Sequence, residues 1–203
     1  VVTAAGGLVG EVVQVWKPKQ LNTFETEWGF SCMGYEISGA LGIKMAKPDQ
    51  DVVVFVGDGS YLLNNTDIYS SVIYDQKLII IVCDNGGHMV INRLQLAKGG
   101  KEYICNLRAA RATNLKFVDF ENHAKSMGAN AETVSSTSEL EAAYKRAKDS
   151  DKTYVITIKT HGYEWLEGTA FWESPTLQDP ITDNNKSALE DFESGKSKQR
   201  KGV

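Results

Sequence analysis

The amino-acid sequence predicts an α/β protein: a doubly wound, mostly parallel sheet with helices on both faces. Two observations carry this. Val52 to Val56 and Leu78 to Cys83 are apolar runs without the alternation of a half-exposed strand, which suits strands covered on both sides. Around them, segments of helical periodicity alternate with further strand candidates, the pattern of a parallel sheet built from βαβ units. With 203 residues and 42% hydrophobic content, the chain can bury one sizeable core; we divide it into one domain over 1–178 and a polar tail over 179–203.

Taken in order, Val1 to Ala5 reads as a buried strand running into Gly6-Gly7 and a helix from about Leu8 to Trp16. It begins as a strand with no start Met, so the chain is expected to be the C-terminal part of a longer protein. Leu21 to Thr26 is a short strand candidate, followed by a glycine-bearing loop from Trp28 to Met33 and a helix from about Gly34 to Met45 that ends before Pro48. Between the strands at 52–56 and 78–83, Leu62 to Tyr74 contains no Pro or Gly. It keeps Leu62, Leu63, Ile68, Val72 and Ile73 mostly on one face, as a crossover helix would. Asn92 to Asn114 is looser. Asp119 is an N-cap for a helix over Phe120 to Met127, and Gly128 is its C-cap. Ala129 to Val134 is a strand. Thr137 opens a helix through Lys148, with Glu139 and Glu141 near its positive end, and Tyr154 to Ile158 is the last strand. Beyond Asp179 the composition turns polar, and a solvated or partly disordered tail is expected.

The loops after the two apolar runs hold the chemistry. Gly57-Asp58-Gly59-Ser60 closes the first and Asp84-Asn85-Gly86-Gly87 closes the second, with Asn85 standing 27 positions after Asp58. A right-handed crossover places both loops at the carboxyl edge of the sheet, on strands about 4.8 Å apart, so Asp58 and Asn85 can share one small ion. One carboxylate, one amide oxygen and the carbonyl of Gly87 form a hard oxygen set that suits Mg²⁺ and leaves room for phosphate oxygens. Gly57 and Gly59 remove bulk where a diphosphate would approach, and Ser60 can offer its hydroxyl and amide. Either motif alone is also what a turn favours for backbone reasons. The pair, each at the end of a buried strand and one crossover apart, points to a metal diphosphate clamp. His88, beside Gly87, is either a neighbour of that diphosphate or an exposed loop histidine.

Other classes are disfavoured. A net charge of −4 without a basic face argues against nucleic acid, and no apolar stretch approaches the 18 residues of a membrane span. Cys32, Cys83 and Cys105 show no CxxC spacing, which fits a reducing cytoplasm, and His88, His123 and His161 share no metal-binding spacing. Neither GxxxxGK[ST] nor GxGxxG after a strand occurs. Arg108 and Arg111 could meet a polyhydroxylated ligand or form a solvated face. Trp165, Phe171 and Trp172 form either a lid or a docking segment.

Gly-Asp-Gly followed by Asn after 27 residues resembles the signature of the thiamine diphosphate-dependent enzymes. That resemblance implies Mg²⁺ held by Asp58, Asn85 and the Gly87 carbonyl, and Met33, within Gly29-Phe30-Ser31-Cys32-Met33-Gly34, as the apolar wedge under the cofactor. A core Met is the alternative for that position. The implied cofactor-binding set is Gly7, Gly29, Phe30, Ser31, Met33, Gly57, Asp58, Gly59, Ser60, Asn85, Gly87, His88 and Met89. Gly57 to Ser71, Val82 to Gln95, Lys98 to Gly100, Val118 to Phe120, Met127 to Ala129 and the Trp165 to Pro175 segment are similar to the trihydroxycyclohexane-1,2-dione hydrolase family. His88-Met89 and Tyr103 to Asn114 depart from it. Such an enzyme opens a small cyclic dione to 5-deoxyglucuronate in myo-inositol degradation. The resemblance implies that the activating Glu sits on an N-terminal pyrimidine-binding domain of the same or a partner subunit, that the enzyme is a homo-oligomer, and that this chain alone is inactive. A 2-oxo acid decarboxylase or acetolactate synthase, and a catalytically silent cofactor-binding or assembly module, remain as alternatives.

Overall fold

Six strands form one sheet in the order β2-β1-β3-β4-β6-β5, and every neighbouring pair is parallel. The computed structural model describes residues 1–27, 29–166 and 176–200. The strands are β1 (Val2–Thr3), β2 (Glu25–Thr26), β3 (Val53–Gly57), β4 (Ile79–Asp84), β5 (Asn130–Val134) and β6 (Tyr154–Lys159). The helices are α1 (Gly6–Val15), α2 (Tyr35–Ala46), α3 (Asp58–Leu63), α4 (Thr66–Ile73), α5 (Met89–Ala97), α6 (Phe120–Ser126), α7 (Thr137–Asp149) and α8 (Asp183–Ser197).

The absence of alternation in β3 and β4 has its reason in two cores. Val54, Val56, Ile80 and Val82 point into one, under α2, α4 and α6, with Ile37, Ile68 and Phe120. Val53, Ile79, Ile81 and Ile156 point into the other, with Ala143 and Ala147 of α7. Each such side chain contributes about 1.5–3 kcal/mol by leaving water, so the central strands anchor whatever their ends carry. Asp119 caps α6 by accepting from Asn122 N, and Gly128 follows that helix at φ +87°, as expected. The cap of α7 is Ser136.

Three expectations are corrected. The crossover is two helices, because Asn64 turns its amide back to the Gly34 carbonyl at 3.2 Å and to Ser38 Oγ at 2.8 Å, and Asn65 Nδ2 donates to the Tyr61 carbonyl. Polar side chains that compete for backbone partners break helices that apolar spacing would continue. The first of the two begins at Asp58 itself, directly from β3. The stretch expected to be loose from Asn92 contains most of α5, where buried Asn92 donates to Glu102.

The stretch expected to be a solvated tail carries α8. Thr182 caps this helix, Asn185 donates to the Lys98 carbonyl at 3.2 Å, and Ala188 and Phe192 are buried. An apolar stripe that sparse is masked by the charged residues around it. From 167 to 175 the aromatic segment, including Phe171 and Trp172, lies outside the described residues. No described helix is long and apolar enough to cross a membrane.

Candidate functional site

Register places the two loops side by side. Gly57 pairs with Cys83 across β3 and β4, so the next residues of both strands leave the carboxyl edge of the sheet together. Asp58 is buried, and its Oδ2 accepts the backbone N–H of Gly87 at 2.7 Å. The side-chain amide of Asn85 lies 3.2 Å from Asp58 Oδ1 and 2.8 Å from the Gly87 carbonyl, and the atom placed there is the amide oxygen. In that orientation three oxygens would face one another without a proton between them.

Two states resolve this arrangement. In the metal-free protein, turning the amide by 180° lets its NH₂ donate to both oxygens. With a cation at the centre, the orientation as placed is the one required. In an octahedron with bonds of about 2.0–2.1 Å, neighbouring ligand oxygens stand roughly 2.9 Å apart, close to both separations. The donor set therefore fits Mg²⁺. Among the described residues no group of three or more His, Cys, Asp or Glu side chains could hold a metal ion, so an ion here depends on the amide and the carbonyl.

The turn that aims the carbonyl is built from outside the two loops. Cys105 to Leu107 runs antiparallel to Gly86 to His88: His88 N donates to the Cys105 carbonyl at 2.8 Å and Leu107 N to the Gly86 carbonyl at 3.0 Å. Gly87 adopts φ +139°, and a Cβ there would stand 2.4 Å from the Cys105 carbonyl oxygen. On the other side, buried Asp84 accepts from Gly86 N at 3.1 Å and pairs with Lys159. Sequence reasoning missed this outer brace, whose contacts span long stretches of chain. Burial, and next the charge of Asp84, push the Asp58 carboxyl above its ordinary range, against the backbone N–H groups of Gly87, Gly59 and Asn85 that hold it down. A cation would reverse that balance.

The acid opens onto a groove of about 660 Å³. Gly7, Ser31, Met33, Gly57, Asp58, Gly59, Ser60, Asn85, Gly87, His88 and Met89 line it, whereas Gly29 and Phe30 do not. Phe30 is 89% exposed on a loop that Glu27 pins by accepting from Phe30 N and Cys32 N. The His88 ring and the Met33 methyl converge over Gly59, where a Cβ would stand 2.5 Å from His88 Nδ1 and 3.5 Å from Met33 Cε.

Ser60 departs from expectation. Its hydroxyl donates to both oxygens of buried Glu36 at 2.8 Å and accepts from Gly34 N at 2.8 Å, so it is committed away from any phosphate. Sequence reasoning also missed Glu36; the available signal was an acid in the first turn of a helix, beside Ile37 and four positions before Ala40. Arg108 and Arg111 stay outside the groove, and His123 bonds to Tyr61. His161 lines a neighbouring pocket of about 430 Å³ with Arg93 and Trp165, whose ring lies 4.1 Å beneath the guanidinium.

Comparison with known proteins gives the family. Residues 4–158 match the family described as thiamine pyrophosphate enzyme, C-terminal TPP binding domain. Curated relatives named 3D-(3,5/4)-trihydroxycyclohexane-1,2-dione hydrolase are 38% identical over 170 residues in Halalkalibacterium halodurans and 36% identical over 203 residues in Lacticaseibacillus casei. These alignments cover 81% and 96% of this chain but 26% and 30% of the relatives. The chain thus spans less than a third of their length. The thiamine diphosphate-dependent 4-hydroxybenzoylformate decarboxylase of Rhodococcus jostii RHA1 superposes with a TM-score of 0.66 at 20% identity, over 79% of this chain and 29% of that one, a likeness of fold. By its fold and the matched span, the chain belongs to the thiamine pyrophosphate enzyme family, as the C-terminal cofactor-binding domain.

Proposed function

We propose that this chain is the cofactor-binding part of a thiamine diphosphate-dependent hydrolase that opens the ring of trihydroxycyclohexane-1,2-dione to 5-deoxyglucuronate in myo-inositol degradation. The observation that carries the proposal is the convergence of the Asp58 carboxylate, the Asn85 side-chain amide and the Gly87 carbonyl at the wall of a groove large enough for an organic diphosphate. The names of the relatives supply the substrate.

In this proposal Asp58 provides the charge, and Asn85 Oδ1 and the Gly87 carbonyl complete the protein's share of the Mg²⁺ shell. The bound cofactor supplies the electron sink that C–C cleavage requires. Met33 would support its ring half, and the missing side chain at Gly59 leaves the room that the His88 ring takes. Met89, 5% exposed, and Val90 close the groove on the α5 side. No carboxylate of this chain is assigned to activate the pyrimidine; that group belongs to an N-terminal pyrimidine-binding domain of the same or a partner subunit in a homo-oligomer. Free Cys32, Cys83 and Cys105 support a cytoplasmic setting.

The test has two stages. Thiamine diphosphate should raise the melting temperature of the chain only when Mg²⁺ is present. Adding the N-terminal part of a relative should then restore ring opening of the dione without release of CO₂. Stabilisation that ignores Mg²⁺ would overturn the clamp. Release of CO₂ from a 2-oxo acid would overturn the substrate.

A further inference from the structure

Behind the groove wall lies a buried acid that nothing above employs. Glu36, in the first turn of α2, is 1% exposed. Its carboxylate accepts from Ala5 N at 3.3 Å, from Gly34 N at 2.9 Å and from Ser60 Oγ at 2.8 Å on both oxygens. Gly34 N also donates to Ser60 Oγ at 2.8 Å, so Glu36, Gly34 and Ser60 close a ring of hydrogen bonds.

The three partners come from three separate stretches of chain, and each stands at the groove. Ala5 and Ser60 line it, and Gly34 directly follows Met33. Gly34 leaves no room for a side chain: at φ +94°, a Cβ would stand 2.6 Å from Asn64 Cβ. An apolar side chain of similar size would fill the space with less desolvation, yet could bind none of these donors.

We propose that Glu36 is a positioning residue for the cofactor. Its carboxylate sets the spacing between the Met33 wedge and the Asp58-Gly59-Ser60 loop, so that the ring half and the diphosphate half of one ligand meet surfaces already fixed relative to each other. The proposal rests on the thiamine diphosphate assignment of the groove.

Glu36→Gln keeps the size but replaces one acceptor with a donor. If the new NH₂ takes the place of Oε1, the N–H of Ala5 loses its acceptor; if it takes the place of Oε2, the N–H of Gly34 keeps only Ser60 Oγ. The experiment measures, by calorimetric titration of the full chain, the affinities for magnesium pyrophosphate and for thiamine diphosphate with Mg²⁺. It compares the wild type, Glu36→Gln, Ser60→Ala, the double variant, and Ile156→Val as a control in the opposite core.

Loss of one buried, charge-assisted hydrogen bond corresponds to about tenfold in affinity. We expect thiamine diphosphate to bind about tenfold more weakly to Glu36→Gln and to Ser60→Ala, with the double variant no weaker than Glu36→Gln. Ile156→Val should lower the melting temperature and leave both affinities unchanged. Binding to Glu36→Gln within about twofold of wild type, losses that add in the double variant, or an equal loss in Ile156→Val would each overturn the role. If Glu36→Gln fails to fold, Ser60→Ala decides by the same criterion. A wild-type chain that binds neither ligand overturns the cofactor assignment itself, an outcome distinct from a variant that binds normally.

Discussion

Gly87 meets Asp58 through its N–H, which donates to Oδ2 at 2.7 Å, while its carbonyl faces the amide of Asn85 at 2.8 Å. One residue fastens the β4 loop to the acid of the β3 loop and turns its remaining polar atom to the same centre. The arrangement requires a φ that side chains rarely adopt, in a space bounded by the Cys105 carbonyl.

Gly87→Ala should therefore destabilise the fold by about 1–3 kcal/mol and abolish the Mg²⁺ dependence of cofactor binding. Thermal melts with and without Mg²⁺ check both parts. An unchanged response to Mg²⁺ would show that the carbonyl is not a ligand.

Asp58→Ala and Asn85→Ala should each remove the stabilisation that thiamine diphosphate gives in Mg²⁺, whereas Arg108→Ala should retain it. Asp58→Asn separates stability from binding. Its new amide can donate to Asn85 Oδ1, and it carries no buried charge. The metal-free variant should therefore melt above the wild type at pH 7 while failing to respond to Mg²⁺. A lower melting temperature would contradict the burial penalty inferred for Asp58.

Two carboxylates titrate with opposite sign. Asp58 has its folded pKa raised, first by burial and then by Asp84, so the metal-free fold takes up that proton before the unfolded chain does. From this group, stability rises as pH falls from neutral through the folded pKa toward about 3.9, and Mg²⁺ affinity falls over the same range.

Glu102 has its folded pKa lowered by hydrogen bonds, first from the Tyr163 hydroxyl and then from Asn92 and Asn106. Its contribution is complete above about pH 4.3 and is lost as pH falls through the lower folded value. Glu102→Gln should thus melt below the wild type at pH 7 and converge with it in acid, as a pH series of melting curves would reveal. A gap that persists at low pH would exclude the linkage.

Met33→Ala should leave magnesium pyrophosphate affinity intact and weaken binding of whole thiamine diphosphate, because the proposed wedge would meet only the ring half of the cofactor. In an enzyme completed with the N-terminal part, turnover should fall as well. Equal affinities for both ligands in mutant and wild type would remove the wedge role.

The parallel sheet and the meeting of Asp58 with Asn85 are legible in the amino-acid sequence because both rest on local patterns. β-Branched runs without alternation specify strands covered on two faces, and the residue that follows such a strand must emerge at its carboxyl edge. Residue type and spacing alone therefore pair Asp58 with Asn85 across 27 positions. What holds that pair emerges only when the chain is folded. The Cys105–Leu107 brace, the Asp84–Lys159 pairing and the turning of Ser60 to Glu36 are contacts between residues far apart in the chain, made by polar atoms that leave no periodic trace. The break at Asn64 and the docking of α8 belong to the same class. In each, a side-chain amide chose a distant carbonyl over water, a choice settled only once the surrounding core had closed.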